Sequence, residues 1–164
     1  MITRVTKSAV LGVYGLVVLL AAVDNIVDPG SNFPFVAHVL AMDTVFEGST
    51  LKWRAIESET ARQIAYGLII ATELVIALLC IAGAARLLRR VRVPASFNRA
   101  KGLGLLGLGL SLGLWFFGFY ALGGEWFVSW QSERWSSTEP GMRLTVLVLL
   151  LWLFVSAPDR EVDA

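Results

Sequence analysis

The sequence has one cysteine, one histidine and few charges. Cys80 has no partner for an internal disulfide, and no zinc-site spacing is present. It lies inside an apolar run and reads as a small buried hydrophobe rather than a redox centre. With His38 the sole histidine, bis-histidine haem ligation would need a second one from another subunit. Charged residues make up 16% of the chain, against about 25% in ordinary soluble domains. A net charge of +1 gives no basic field for nucleic acid. No Ser/His/Asp constellation, glycine-rich phosphate loop or metal motif is visible, so neither a metal nor any particular cofactor is indicated. No internal repeat or low-complexity tract divides the chain.

What the chain does have is apolar length. Of its 164 residues 56% are hydrophobic, and they gather into four runs at about 8–26, 64–87, 102–122 and 140–157. A helix rises about 1.5 Å per residue, so roughly 20 residues cross the hydrocarbon of a bilayer. The expected fold is all-α: a four-helix transmembrane bundle of up-down topology, one integral membrane domain over 1–164. Arg4 and Lys7 before the first run resemble a signal-peptide start. That run exceeds a usual signal core, however, and Leu20-Ala21-Ala22 puts a large residue where cleavage prefers a small one. A retained span is therefore expected.

Orientation follows from charge. The loop 86–101 carries Arg86, Arg89, Arg90, Arg92, Arg99 and Lys101 and no acid. Basic residues in short loops mark the cytoplasmic side. Both termini are then cytoplasmic, and the two long loops, 24–63 and 123–139, lie outside, over the same end of the bundle. Asp24, Asn25, the segment Asp28–Asn32 and Pro34 make the first loop's opening turn-rich. Phe35 to Phe46 then reads as a short amphipathic helix, with Phe35, Val39, Met42 and Phe46 on one stripe. Ser58 and Glu59 suit the start of the second span. In the third span, Gly109-x-x-x-Gly113 with Ser111 between them suggests a helix-packing seam, continued by Gly104 and Gly118 at intervals of seven from Ser111.

Two places could carry chemistry. Glu73 is the only acid inside an apolar run, and a charge at mid-bilayer costs several kcal/mol. Tyr66, Ala77 and Cys80 share its helical face. The plainer reading is a neutral carboxyl bonded to a backbone carbonyl or a hydroxyl between helices; the sharper ones are a proton relay, an ion site or a ligand contact. The second place is the outer face, where His38, Asp43, Trp53, Arg54, Glu125, Trp126 and Trp130 could line a pocket for a small ligand, a lipid headgroup or a partner. Alternatively they form a structural cap, with Arg54 paired to Asp43 or Glu125 and tryptophans anchored at the interface.

Several segments together are distinctive: Asp24-Asn25, Asn32-x-x-Phe35-Val36-x-His38-Val39-Leu40-x-Met42-Asp43, and Lys52-Trp53-Arg54-Ala55-Ile56. So are Glu73 and the run from Phe119 through Gly123-Gly124-Glu125-Trp126-Phe127 to Trp130-Gln131-Ser132. In these the chain, over about residues 8 to 157, resembles a bacterial family of predicted small integral membrane proteins, the DUF2165 family. The resemblance implies a four-span protein of the bacterial inner membrane and supplies no activity. The expected function is non-enzymatic: an accessory subunit or binding module in contact with the bilayer, within a larger membrane complex or a homo-oligomer. The alternatives are a membrane-embedded enzyme or redox subunit holding a lipid- or quinone-like ligand near Glu73 and the outer cluster, and a transporter or channel protomer. A cavity joining Glu73 to that cluster would favour the alternatives.

Overall fold

The computed structural model describes residues 1–160, so the last four residues of the expected polar tail lie outside the described residues. The described chain is helical, with no strand among the described residues. Four long helices form the bundle: α1 (Ile2–Val27), α3 (Glu59–Leu88), α5 (Gly102–Leu112, continued to Trp126) and α6 (Thr138–Ser156). Two shorter ones connect them, α2 (Pro29–Ala41) and α4 (Pro94–Ala100). All four long helices are long and apolar enough to cross a membrane.

Local chemistry sets the helix ends. The Asp28 side chain accepts from the Ser31 amide at 3.2 Å and Pro29 takes the first helical position, so α2 starts there. Met42 ends α2 in a left-handed conformation, φ 51°. The Ser58 hydroxyl accepts from the Ala61 amide at 3.3 Å and opens α3 where Ser58 and Glu59 suggested it would. Pro94 begins α4.

Several boundaries differ from the sequence expectation. α1 begins at Ile2 rather than near residue 8, and it runs through Asp24 and Asn25, which were expected in a turn. Two of the polar residues that argued against helix there find partners in the fold: Lys7 bonds to Asp159 and to the Ala157 carbonyl, and Asn25 bonds to α3. α2 begins six residues before Phe35, because the Asp28 cap and Pro29 outweigh the interior Pro34. Phe46 falls beyond the left-handed stop at Met42 and is exposed, so the expected stripe keeps Phe35, Val39 and Met42 but loses its end.

α5 changes character at Gly113. From there to Trp126 its backbone is π-helical, closing with Phe127 N–H donating to the Leu122 carbonyl at 2.9 Å. This wider half packs on the start of α6. A Cβ at Gly141 would sit 2.9 Å from the Tyr120 nitrogen, so only glycine allows this approach.

The main core joins Leu11, Tyr14 and Val18 of α1, Ile76, Ala77 and Cys80 of α3, Leu108 and Trp115 of α5, and Val148 and Val155 of α6. A second, small core holds Val39, Met42, Val45, Phe127 and Val128, under the two long loops. Outside, Val13, Leu16, Leu20, Leu68, Leu78, Leu106, Phe117 and Leu150 are all exposed. A belt of aliphatic and aromatic side chains around the bundle is the surface that lipid, not water, solvates.

The helix-packing seam differs in part from the expected one. Gly104 and Ser111 do face the bundle: Ser111 is fully buried, and a Cβ on Gly104 would collide with the Leu11 side chain. Gly107 belongs to the same seam, because its Cβ would lie 2.8 Å from Cys80 Sγ. Gly109 and Gly113 have open space where a Cβ would stand, and Gly118 meets only its own helix. The correction has a simple cause. Residues 104, 107 and 111 share one helical face, whereas 109 and 113 are on another. The partner glycine is on α3: a Cβ on Gly83 would be 2.7 Å from both the Cα and the nitrogen of Gly104.

Candidate functional site

Glu73 lies midway along α3, 2% exposed, and level with the last turn of α1. Asn25 Nδ2 donates to its Oε2 at 2.9 Å. Tyr66, two turns back on the same face, donates its hydroxyl to the Asn25 backbone carbonyl at 2.8 Å. The carboxyl is thus bonded to a side-chain amide, not to a backbone carbonyl or hydroxyl. Asn25 was expected in the loop, and once α1 is extended by a turn it becomes the residue that ties α1 to α3.

Deeper in the bundle, Tyr14 and Ser111 share a short hydroxyl–hydroxyl bond, and Trp115 Nε1 donates to the Tyr14 hydroxyl at 3.3 Å. Serine, tyrosine and tryptophan from two helices therefore satisfy one another in the apolar core.

The outer-cluster residues separate into three small groups. His38 Nδ1 is 2.8 Å from Asp43 Oδ2, and its ring stacks on Trp135 with centroids 4.7 Å apart. Arg54 places its guanidinium 4.3 Å from the Trp126 ring centroid and 5.4 Å from that of Trp53, and donates to the Trp126 carbonyl at 3.1 Å. Each such cation–π contact is worth about 0.5–1 kcal/mol when exposed. Arg54 forms an ion pair with neither Asp43 nor Glu125 among the described residues. Trp130 packs edge-on against Phe46, 5.9 Å between centroids, and Glu125 is exposed. The two loops are stitched by Thr44 donating to Ser132 Oγ at 2.9 Å and by the Phe46 amide donating to Gln131 Oε1 at 3.1 Å.

Beneath this stitched layer is a cavity of about 230 Å³. Phe35, Val36 and Val39 of α2 roof it, Ala65, Leu68 and Ile69 of α3 form one wall, and Leu114, Phe119 and Leu122 of the π-helical half form the other. It exists because α3 and α5, in contact at Gly83–Gly104, diverge where α5 turns toward α6. Leu68 is 63% exposed, so the cavity opens on the lipid-facing side of the bundle. Ser137 contributes a hydroxyl to the lining, but that group already donates to the Phe119 carbonyl at 2.8 Å. Glu73 and the tryptophans do not line it.

At the opposite end the structure shows a site that the sequence did not signal. Asp159 Oδ2 is 2.8 Å from Lys7 Nζ and 2.7 Å from Lys101 Nζ, all three buried. Both lysines also donate to the Ala157 carbonyl at 2.6 Å. Asn98 and Asp159 exchange a pair of bonds, 2.8 and 3.1 Å. Burial alone would raise the Asp159 pKa, but the two ammonium groups outweigh it and hold the carboxyl below its ordinary value. By sequence these residues were separate charges at span ends; the only hint was an acid directly after Pro158.

No group of histidine, cysteine, aspartate and glutamate that could hold a metal occurs among the described residues. Four long apolar helices and an apolar outer belt define an integral membrane protein. The chain belongs to the predicted small integral membrane protein family DUF2165, whose model matches residues 3–158. No curated protein and no solved structure matches it.

Proposed function

We propose that the protein is a non-enzymatic binding module of the bacterial inner membrane that receives one apolar chain, a lipid tail or prenyl group, in the cavity under α2. The observation that carries this reading is the cavity's composition and position: aliphatic and aromatic walls, a side open at lipid depth, and a roof, α2, whose following segment is bonded to the second long loop. A single chain in an apolar cleft needs no catalytic group, only shape and dryness.

The chain acts as one domain, an up-down bundle with both termini cytoplasmic. Supporting this, Gly12 lies against Ala84 and Asn25 against Glu73, so α1 and α3 run antiparallel; Gly107 against Cys80 and Gly123 against Ser137 continue the alternation. α2 and the loops then form an extracytoplasmic cap. Its exposed Trp53, Trp126, Trp130 and Phe46 stand where headgroups, or another subunit of a membrane complex or homo-oligomer, would meet it. Glu73 serves as a tie between α1 and α3, since its carboxyl group is bonded to Asn25 and does not line the cavity.

Photoactivatable fatty-acid and prenyl probes in proteoliposomes test the reading. Crosslinks should concentrate at Leu68, Ile69 and Leu114. Labelling spread evenly over outward residues such as Leu16 and Leu78 would reduce the cavity to ordinary lipid contact.

A further inference from the structure

A second cavity, of about 660 Å³, lies between the end of α3 and the start of α5, away from the capped cavity. Ala82 and Ala85 form its apolar part, with Leu103 across from them, and Arg86, Arg89 and Arg90 form its charged part. Ala82, Ala85 and Arg86 fall on one stripe of α3, Arg89 and Arg90 stand in the turn directly after it, and all five are exposed. The cavity therefore has the order of a phospholipid: small apolar residues toward the helix interior, then guanidinium groups at the helix end.

These arginines differ from the lysines nearby. Lys7 and Lys101 are buried and share Asp159. Arg86, Arg89 and Arg90 take part in no ion pair among the described residues, and the only side-chain partner among them is Ser96, which accepts from Arg90 at 3.0 Å. No acidic residue occurs in the chain between Glu73 and Glu125. The α3 C-terminal dipole and the preference for basic residues beside a membrane explain why charge collects at this end. Neither explains a cavity with three guanidiniums on one side and small apolar side chains on the other. Like charges at helical spacings of three and four repel, and a phosphate oxyanion between them removes that repulsion while matching the planar guanidinium fork.

We propose that this cavity is a binding site for the headgroup of an anionic phospholipid, its phosphodiester held by Arg86, Arg89 and Arg90 and its glycerol region lying over Ala82, Ala85 and Leu103. The site depends neither on occupation of the capped cavity nor on which membrane leaflet it faces.

The test uses the full chain in mild detergent, titrated with phosphatidylglycerol and with phosphatidylcholine of identical tails, read by native mass spectrometry. Phosphatidylglycerol should be retained at least tenfold more strongly, and the preference should fall as salt rises. The triple variant Arg86→Gln, Arg89→Gln, Arg90→Gln should lose that preference while melting normally. The double variant Arg92→Gln, Arg99→Gln removes nearby charge outside the cavity and should keep it. Equal retention of the two lipids, or equal loss in both variants, would overturn the assignment. So would displacement of the lipid by millimolar inorganic phosphate, which would make the site one for the free anion. Deleting residues 161–164, which hold Glu161 and Asp163, should leave retention unchanged; binding seen only after that deletion would give the cations to the chain's own tail instead.

Discussion

Gly83 and Gly104 meet backbone to backbone: a Cβ on Gly83 would stand 2.7 Å from the Cα and nitrogen of Gly104. This contact brings α3 and α5 together at one end, and their divergence beyond it leaves room for the capped cavity. Within a bilayer, helix association relies on such close packing, because lipid tails are as apolar as leucine. Gly83→Leu or Gly104→Leu should therefore lower the melting temperature in detergent by the equivalent of about 1–3 kcal/mol or more. Gly109→Leu, on an open face, should be silent. The reverse pattern would show that the seam has been placed on the wrong face.

The Asn25–Glu73 bond makes a prediction about substitution chemistry. Glu73→Gln keeps a group that can bond Asn25 and should retain the fold. Glu73→Leu strands the half-buried Asn25 amide and should cost about 1 kcal/mol. Asn25→Leu should cost a similar amount, and the double variant should cost less than the sum of the two. Strict additivity in a double-mutant cycle would mean that the two side chains do not interact.

At the other end, Asp159→Asn leaves Lys7 and Lys101 without a counter-charge and should destabilise by about 3 kcal/mol. The Asp159 carboxyl is held below its ordinary value of 3.8. A depressed acid contributes stability above its unfolded pKa and loses it as pH falls through the folded one. The stability gap between wild type and Asp159→Asn should then be constant from neutral pH to about pH 5 and close below about pH 4. A gap that instead closed near neutral pH would require a different titrating group.

The four spans were legible because bilayer thickness demands about 20 apolar residues, and no loop of this chain resembles that. The start of α3 at Ser58 was legible for the local reason that a cap bonds within one turn. The true limits of α1 were not. Lys7 and Asn25 argue against a packed helix until their partners are known, and Lys7's partners are about 150 residues away. The glycine seam was half legible: small residues announce close packing, but only the neighbouring helix decides which face is used. Glu73 stood out from sequence as an isolated acid, while its partner Asn25 did not, because polar residues near span ends are ordinary. The π-helical half of α5, on which the cavity depends, left no pattern that composition or periodicity could separate from an α-helix.

Sidedness can be checked with an impermeant thiol reagent on intact cells, since Cys80 is buried and should stay silent. Cysteines at the exposed positions Thr50 and Glu133 should label from outside, and one at Ala95 only after the membrane is opened. Labelling of Ala95 alone would invert the arrangement.

The central claim is that the cavity under α2 holds one apolar chain. Native mass spectrometry of the protein after gentle extraction, compared with Ala65→Trp, tests it most directly. The wild type should carry a single hydrophobic adduct per monomer, and the variant, whose indole fills the cavity, should fold and melt like the wild type yet lose that adduct. A bare wild-type monomer, or an adduct retained unchanged in a folded Ala65→Trp protein, would contradict it.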